Sequence, residues 1–253
     1  MTPEAGASGA PAVLVSILAV LAAAFVKGAV AFGFPTLSTP VLALFMDVKS
    51  AIAVLILPNL VMDAIQALRR PGLGATLRRH ALLYAFGIAG TFLGTHLLRS
   101  IADRQALLIL GGFVLVFAAI NATGLSPRVP PVWERALSPG VGFLAGVVGG
   151  VTNVPGTLLL IYFYALGMDK TEFVRSTSLS FVVYKATQLV AVTAAGMMTP
   201  RLAALSVGAT AAALGGFWLG LRVQDRMNQR TFNRAVLGFL TVLGVFLVIR
   251  ALR

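Results

Sequence analysis

The chain has 253 residues, 58% of them hydrophobic and 11% charged, with a mean hydropathy of +0.92, whereas a soluble domain carries roughly one charged residue in four; it is a polytopic membrane protein. Having no cysteine excludes disulfides, thiolate metal sites and cysteine nucleophiles, and His80 and His96 are too few for a histidine metal centre or a histidine-based triad. The formal charge of +12 lies in short clusters between apolar runs, as in "LRRPGLGATLRRH", which argues for loops at a bilayer and against nucleic acid.

Residues 1–11 carry Glu4 and no lysine or arginine, so the apolar run that follows lacks the basic start of a secretory signal and reads as mature structure. Apolar segments then recur at 11–26, 29–46, 50–68, 80–98 and 104–122, and again at 138–151, 154–167, 172–195, 202–221 and 233–251. A full crossing needs roughly 20 apolar residues. The last three segments of each set approach that length. The first two are shorter and are separated by Gly, Pro, Ser, Thr or Asn, which predicts short tilted or re-entrant helices. Between the sets, the proline-rich stretch 123–137 reads as a linker, with Trp133 as an interfacial anchor.

Two sets of five suggest a duplication, residues 12–122 and 138–251. "FVKGAV" at 25 falls on "FLAGVV" at 143, "MDVK" at 46 on "MDK" at 168, Gln66 on Gln188, Gly90 and Gly94 on Gly216 and Gly220, and "GGFVLV" at 111 on "LGFLTV" at 237. This alignment sets Lys27 opposite Ala145. Charge orients the two halves oppositely. Arg69, Arg70, Arg78 and Arg79 follow the third segment of the first half, where the second half has Arg201 alone. After the fourth segment the bias reverses, with Arg222, Arg226, Arg230 and Arg234 against Arg99, Arg104 and Asp103. The predicted fold is therefore an all-α integral membrane protein of two inverted-topology repeats, each with two short broken or re-entrant segments followed by three transmembrane helices. The N-terminus is expected on the extracytoplasmic side of the plasma (inner) membrane.

Inside "FVKGAVAFGFPTLSTP", Lys27 must either snorkel to the headgroups or face a polar cavity. After it, Gly28, Gly33, Pro35 and Pro40 break the helix, and a restart near Pro35 leaves backbone N–H groups of Phe34 to Thr36 for an anion, beside Ser38. The second half repeats the break at Gly149 and Gly150, with Thr152 and Asn153 as caps and Pro155 and Gly156 opening the next helix. Both breaks read as substrate-lining or as ordinary glycine packing. Asn59, Asp63 and Gln66 share a face of the third segment, and the equivalent face carries Ser178, Phe181, Lys185 and Gln188. Asp63 is a candidate proton carrier, or a partner of Lys27 or Lys185 in an ion pair that locks the bundle. In "MDKTEFVR", Thr171 is the expected cap, and Arg175 reaches either an anion or a headgroup. The GxxxG pairs at Gly90/Gly94 and Gly216/Gly220 are packing faces, between the halves or between protomers of a homodimer.

The two glycine-rich stretches, with "NLVMDAIQ" and "GMDKTEFVRSTSLS" beside them, resemble the repeated halves of the TauE/SafE family of sulfite-exporting membrane permeases. The resemblance implies an α-helical inner-membrane transporter, without cofactor or metal, exporting a small sulfur-containing anion such as sulfite or an organosulfonate such as sulfoacetate. It also implies that Gly28 to Pro40 and Gly146 to Gly156 are the family's repeated signature. "GFPTLSTP" and "TNVPG" are less glycine-rich than that signature. From the residues alone, helix N-termini and lysines at membrane depth suit an anion held by Lys27, Gly33, Phe34, Pro35, Thr36, Ser38, Thr152, Asn153, Pro155, Gly156, Arg175, Lys185 and Gln188, with Asn59, Asp63 and Gln66 on the coupling face. A passive channel for a small oxyanion is the alternative; no convergent nucleophile and base argue for an enzyme. Single cysteines at positions 74 and 198 are expected to react with impermeant thiol reagents from opposite sides of the membrane. Labelling of both from one side overturns the orientation.

Overall fold

The computed structural model describes residues 10–102, 105, 128–154, 156–228, 230–232, 234–235 and 238. Among them the regular elements are nine α-helices: α1 (Ala10–Val30), α2 (Phe34–Leu42), α3 (Val48–Leu68), α4 (Leu73–Arg79), α5 (Ala81–Ser100), α6 (Pro131–Thr152), α7 (Gly156–Ala165), α8 (Lys170–Ala194) and α9 (Pro200–Arg226). Four of these, α1, α3, α5 and α9, are long and apolar enough to cross a membrane. The segments expected at 104–122 and 233–251 lie essentially outside the described residues.

Three boundaries differ from expectation. The first segment of each set is long: α1 has 21 residues and α6 has 22, so of the two expected short segments only the second of each set, α2 and α7, is short. Lys27 and Gly28 do not end α1, because the lysine finds a buried partner and the glycine sits against another helix. Residues 131–137 form the first turns of α6 and not the end of a linker. The basic stretch after α3, read as a loop, contains α4, started by Gly72 at φ 97°.

Capping also departs from the sequence reading. Asp169, not Thr171, caps α8, accepting from the Glu172 amide at 2.9 Å, as Asp47 caps α3 by accepting from the Ser50 amide at 2.9 Å. A carboxylate at that position satisfies one of the orphan N–H groups and complements the helix dipole. Thr152 and Asn153 close α6 instead of opening α7. Asn153 adopts a left-handed φ of 66° with its N–H on the Gly149 carbonyl, and the Thr152 hydroxyl donates to Val148 while accepting from the Val154 amide.

Two glycine seams hold the bundle. Along α5 and α6, Gly90 meets Phe143 and Val147, Gly146 meets Gly87 and Thr91, and Gly150 meets Thr91, Gly94 and Thr95; numbers rise together, so the helices are parallel. Along α1 and α9, also parallel, Gly216 meets Leu21 and Phe25, and Gly28 meets Phe217, Gly220 and Leu221. A Cβ on Gly94 or Gly220 would collide with a facing carbonyl, so backbones touch as small-residue packing allows. Both GxxxG pairs are thus used within one chain and are not free to form a dimer face.

The two seams have like neighbours at a constant spacing. The neighbours of Gly28 correspond to those of Gly150, which lies 122 positions on, with Phe217, Gly220 and Leu221 replacing Thr91, Gly94 and Thr95. Helix starts Phe34 and Gly156, and caps Asp47 and Asp169, share that spacing. Aligned by this spacing, Lys27 falls on Gly149, where the letters alone set it opposite Ala145. Four glycines in "GFLAGVVGG" allow either register by letters, and only the contacts choose.

Between the seams, α3 and α8 lie antiparallel: Gln66 meets Ser178, while Pro71 and Thr76 meet Arg175. At one end of the bundle, Arg69 and Arg70 bind Asp225 at 2.5 and 3.2 Å, Arg79 binds Glu134 and Glu172, and Lys170 donates to the carbonyls of Gln224 and Met227. Glu134, gripped by Nε and Nη2, holds the Arg79 guanidinium above its ordinary value. Such exposed pairs add little stability but fix which helix ends adjoin. The seams should dominate stability. Gly94→Ala and Gly220→Ala are each expected to destabilise by about 1–3 kcal/mol through overpacking, read as thermal unfolding in detergent, whereas Gly208→Ala, with nothing within 4 Å of its Cβ, should be neutral or better.

Candidate functional site

The i, i+4, i+7 spacing of Asn59, Asp63 and Gln66 turns one face of α3 inward, where all three are at most 1% exposed. Lys27, carried on α1, reaches across to donate to Asp63 Oδ1 at 2.6 Å, with both side chains fully buried. Its ammonium also lies 5.1 Å from the centroid of Phe181 on α8, a cation–π contact. The lysine therefore does not snorkel. Of the two readings of Asp63, the ion pair with Lys27 is formed, and it leaves Asp63 Oδ2 without a partner, together with Asn59 Oδ1 and Gln66 Nε2.

Lys185 gathers the second cluster. Its ammonium donates to the Asn153 carbonyl at 3.0 Å, to Asn153 Oδ1 at 2.5 Å and to Gln188 Oε1 at 2.7 Å. Gln188 in turn donates to the carbonyls of Gly149 and Gly150. The left-handed turn at Asn153 makes this possible, since it ends α6 and points both oxygens of that residue at the lysine. Asn153 Nδ2 reaches the Thr39 hydroxyl on α2 at 3.4 Å, which brings the two helix breaks together. Phe181, whose ring lies under the Lys27 ammonium, is one helical turn from Lys185 on α8, so the two clusters adjoin and together hold two lysines and one aspartate.

The first break has its expected form. Ala31 at φ 74° ends α1, Gly33 at φ 97° starts α2, and no side chain caps the amides that follow. Phe34 and Pro35 are buried, Thr36 half-buried, and Ser38 turns its hydroxyl back to the Phe34 carbonyl at 2.6 Å. Gly156, first residue of α7, packs beside Phe181. Pro155 lies outside the described residues. Arg175 is not brought into the centre; it donates to Thr76 Oγ1 and to the Pro71 carbonyl, both at 2.6 Å, at the charged end. Thr39, which meets Asn153, was not among the expected site residues, nor was Thr177, a buried hydroxyl on α8 that has no partner. The spacing of Thr177, Phe181 and Lys185, four apart on one face, was the available signal.

Such a bundle, apolar outside and charged within, defines a multi-pass membrane protein organised around a buried cationic centre. The chain belongs to the sulfite exporter TauE/SafE family, whose model matches residues 16–247, nearly its whole length, and is accordingly a membrane transporter of sulfur-containing anions. No curated protein and no solved structure gives a significant match.

Removing one partner of a buried pair strands the other charge, which costs about 3–5 kcal/mol. Asp63→Ala is expected to lose stability on that scale in thermal unfolding, while Lys27→Met combined with Asp63→Leu should recover most of it. A single variant as stable as the parent would mean that the pair does not hold the bundle.

Proposed function

We propose that the chain is a secondary transporter exporting sulfite or an organosulfonate such as sulfoacetate across the plasma membrane, with the anion taken up between the two helix breaks. The observation that carries this reading is a pair of fully buried lysines, Lys185 at the place where Asn153 of one break meets Thr39 of the other, and Lys27 over Phe181, one helical turn from Lys185 on α8. Two cations beside uncapped amides attract a small oxyanion and repel cations. The engaged partners of both lysines are oxygen atoms, for which a sulfonate or sulfite oxygen can substitute.

The site works asymmetrically in this reading. An anion at Lys27 competes with Asp63, and a carboxylate beside a second anion in a low-dielectric interior is relieved by a proton. Asp63 is thus the proton carrier, with Asn59 and Gln66 flanking it, and one proton accompanies each anion. Lys185 supplies fixed charge, and Asn153 and Gln188 re-aim from the lysine to substrate.

Alternating access between inverted repeats is the proposed motion. It is supported by the spacing of 122 between corresponding caps and seam glycines and by the antiparallel course of α3 and α8. The arginine-rich end, taken as cytoplasmic, puts the start of α1 outside.

The test is flux of radiolabelled sulfite and sulfoacetate in proteoliposomes with and without a pH gradient. Lys27→Ala should lower flux at limiting substrate by about tenfold or more, the scale of one charged hydrogen bond. Asp63→Asn should leave flux that no longer responds to the gradient. Saturable, gradient-driven transport unchanged by Lys27→Ala would remove the assignment of the site. Non-saturating flux in the parent, indifferent to pH, would mark a channel.

A further inference from the structure

The stretch Arg175 to Ser180 on α8 buries four hydroxyl groups in succession around Leu179. Three are engaged: Ser176 with His80 Nε2 at 3.3 Å, Ser178 with Gln66 Oε1 at 3.3 Å, and Ser180 with the Ser176 carbonyl at 2.7 Å. Thr177, fully buried between them, has no partner, although a hydroxyl on a helix can ordinarily turn back to a carbonyl one turn earlier. An unmatched hydroxyl in an apolar interior is costly and calls for a use.

Gln66 presents the same anomaly from the facing helix. The Ser178 hydroxyl donates to its carbonyl oxygen, and its Nε2 has no partner. Gln188, at the corresponding place on α8, has both ends satisfied, by Lys185 and by the Gly149 and Gly150 carbonyls. Gln66 lies one turn beyond Asp63, and Thr177 one turn before Phe181, the ring beneath the Lys27 ammonium. Because α3 and α8 are antiparallel, both spare groups fall on the same side of the ion pair, toward Arg175 and the arginine-rich end. Both are donors. The spare group on the other side of the pair, Asn59 Oδ1, is an acceptor, as is Asp63 Oδ2 within the pair.

We propose that Thr177 and Gln66 form an anion subsite one helical turn from the Lys27–Asp63 pair, where an oxyanion entering from the arginine-rich end is received before it reaches the central lysines. This rests on the transport reading above. A hydroxyl and an amide hold an oxyanion by hydrogen bonds without a full positive charge, so it is bound weakly enough to move on. Asp63 Oδ2 and Asn59 Oδ1 bar it from passing while Asp63 is ionised.

Since the chain has no native cysteine, Thr177→Cys introduces the only thiol. It is expected to react about tenfold faster with anionic sulfonatoethyl methanethiosulfonate than with its cationic trimethylammonium analogue, to be protected by sulfoacetate, and to lose flux once labelled. Equal rates, or no protection, overturn the subsite. As a second measure, Thr177→Val should raise the KM for sulfoacetate about fivefold to tenfold, the worth of one hydrogen bond, and Thr177→Ser should stay near the parent. An unchanged KM in Thr177→Val also overturns it. Absence of sulfur-anion flux in the parent removes the transport reading, and the charge preference of labelling at position 177 is then still decisive for the subsite; normal flux with unselective labelling removes the subsite alone.

Discussion

An ammonium held 2.6 Å from a carboxylate, with neither reaching solvent, persists only where the surrounding helices cannot let the two separate. Desolvating Lys27 and Asp63 costs several kcal/mol for each ion, and only close approach offsets that. The rest of the bundle meets this requirement. Residue 27 reaches residue 63 because α1 lies directly on α9 through Gly28 and Gly220, and α9 is tied to α3 by the Ser206 hydroxyl on the Val54 carbonyl. A side chain on either glycine would push α1 outward and draw the lysine from its partner. The seam glycines thus serve electrostatics as much as packing.

The two lysines are held by different means, which matters for an anion site. Lys27 is neutralised by an opposite charge, while Lys185 is solvated by neutral oxygens of Asn153 and Gln188. One carboxylate against two ammonium groups leaves the centre with a formal charge of +1 when all three are ionised. A bilayer interior tolerates such a surplus only beside a counter-ion or a dense shell of dipoles, and the carbonyls at the α6 break supply that shell.

Much of this was readable from residue types. The polar face of α3, the broken helices at Gly33 and Asn153 and the opposite signs of Asp63 and Lys185 follow from spacing and from the cost of placing Gly, Pro and charge in apolar runs. Spacing did not fix the register of the glycine-rich stretch, since repeated glycines match at several offsets and only the facing helix distinguishes them. Nor did it foresee α4, about two turns of helix among arginines, or the length of α1, which hydropathy ended at Lys27. In both cases a tertiary partner overrode the local signal. Arg175 illustrates the reverse: a cation in the right sequence neighbourhood turns to the oxygens of Thr76 on α4 and of Pro71 before it.

The glycine seams carry a mechanical consequence. Backbones in van der Waals contact cannot slide past one another without lifting apart, so α1 travels with α9, and α5 with α6. Each of these pairs joins a helix from the front of the chain to one from the back. Any rearrangement that exposes the centre to one side and then the other must therefore pass between the pairs, along α3 and α8, where sparse hydrogen bonds such as Gln66 to Ser178 can break and re-form. The rigid bodies are woven from both ends of the polypeptide, and a cut between residues 128 and 131 would leave each fragment holding half of each lever.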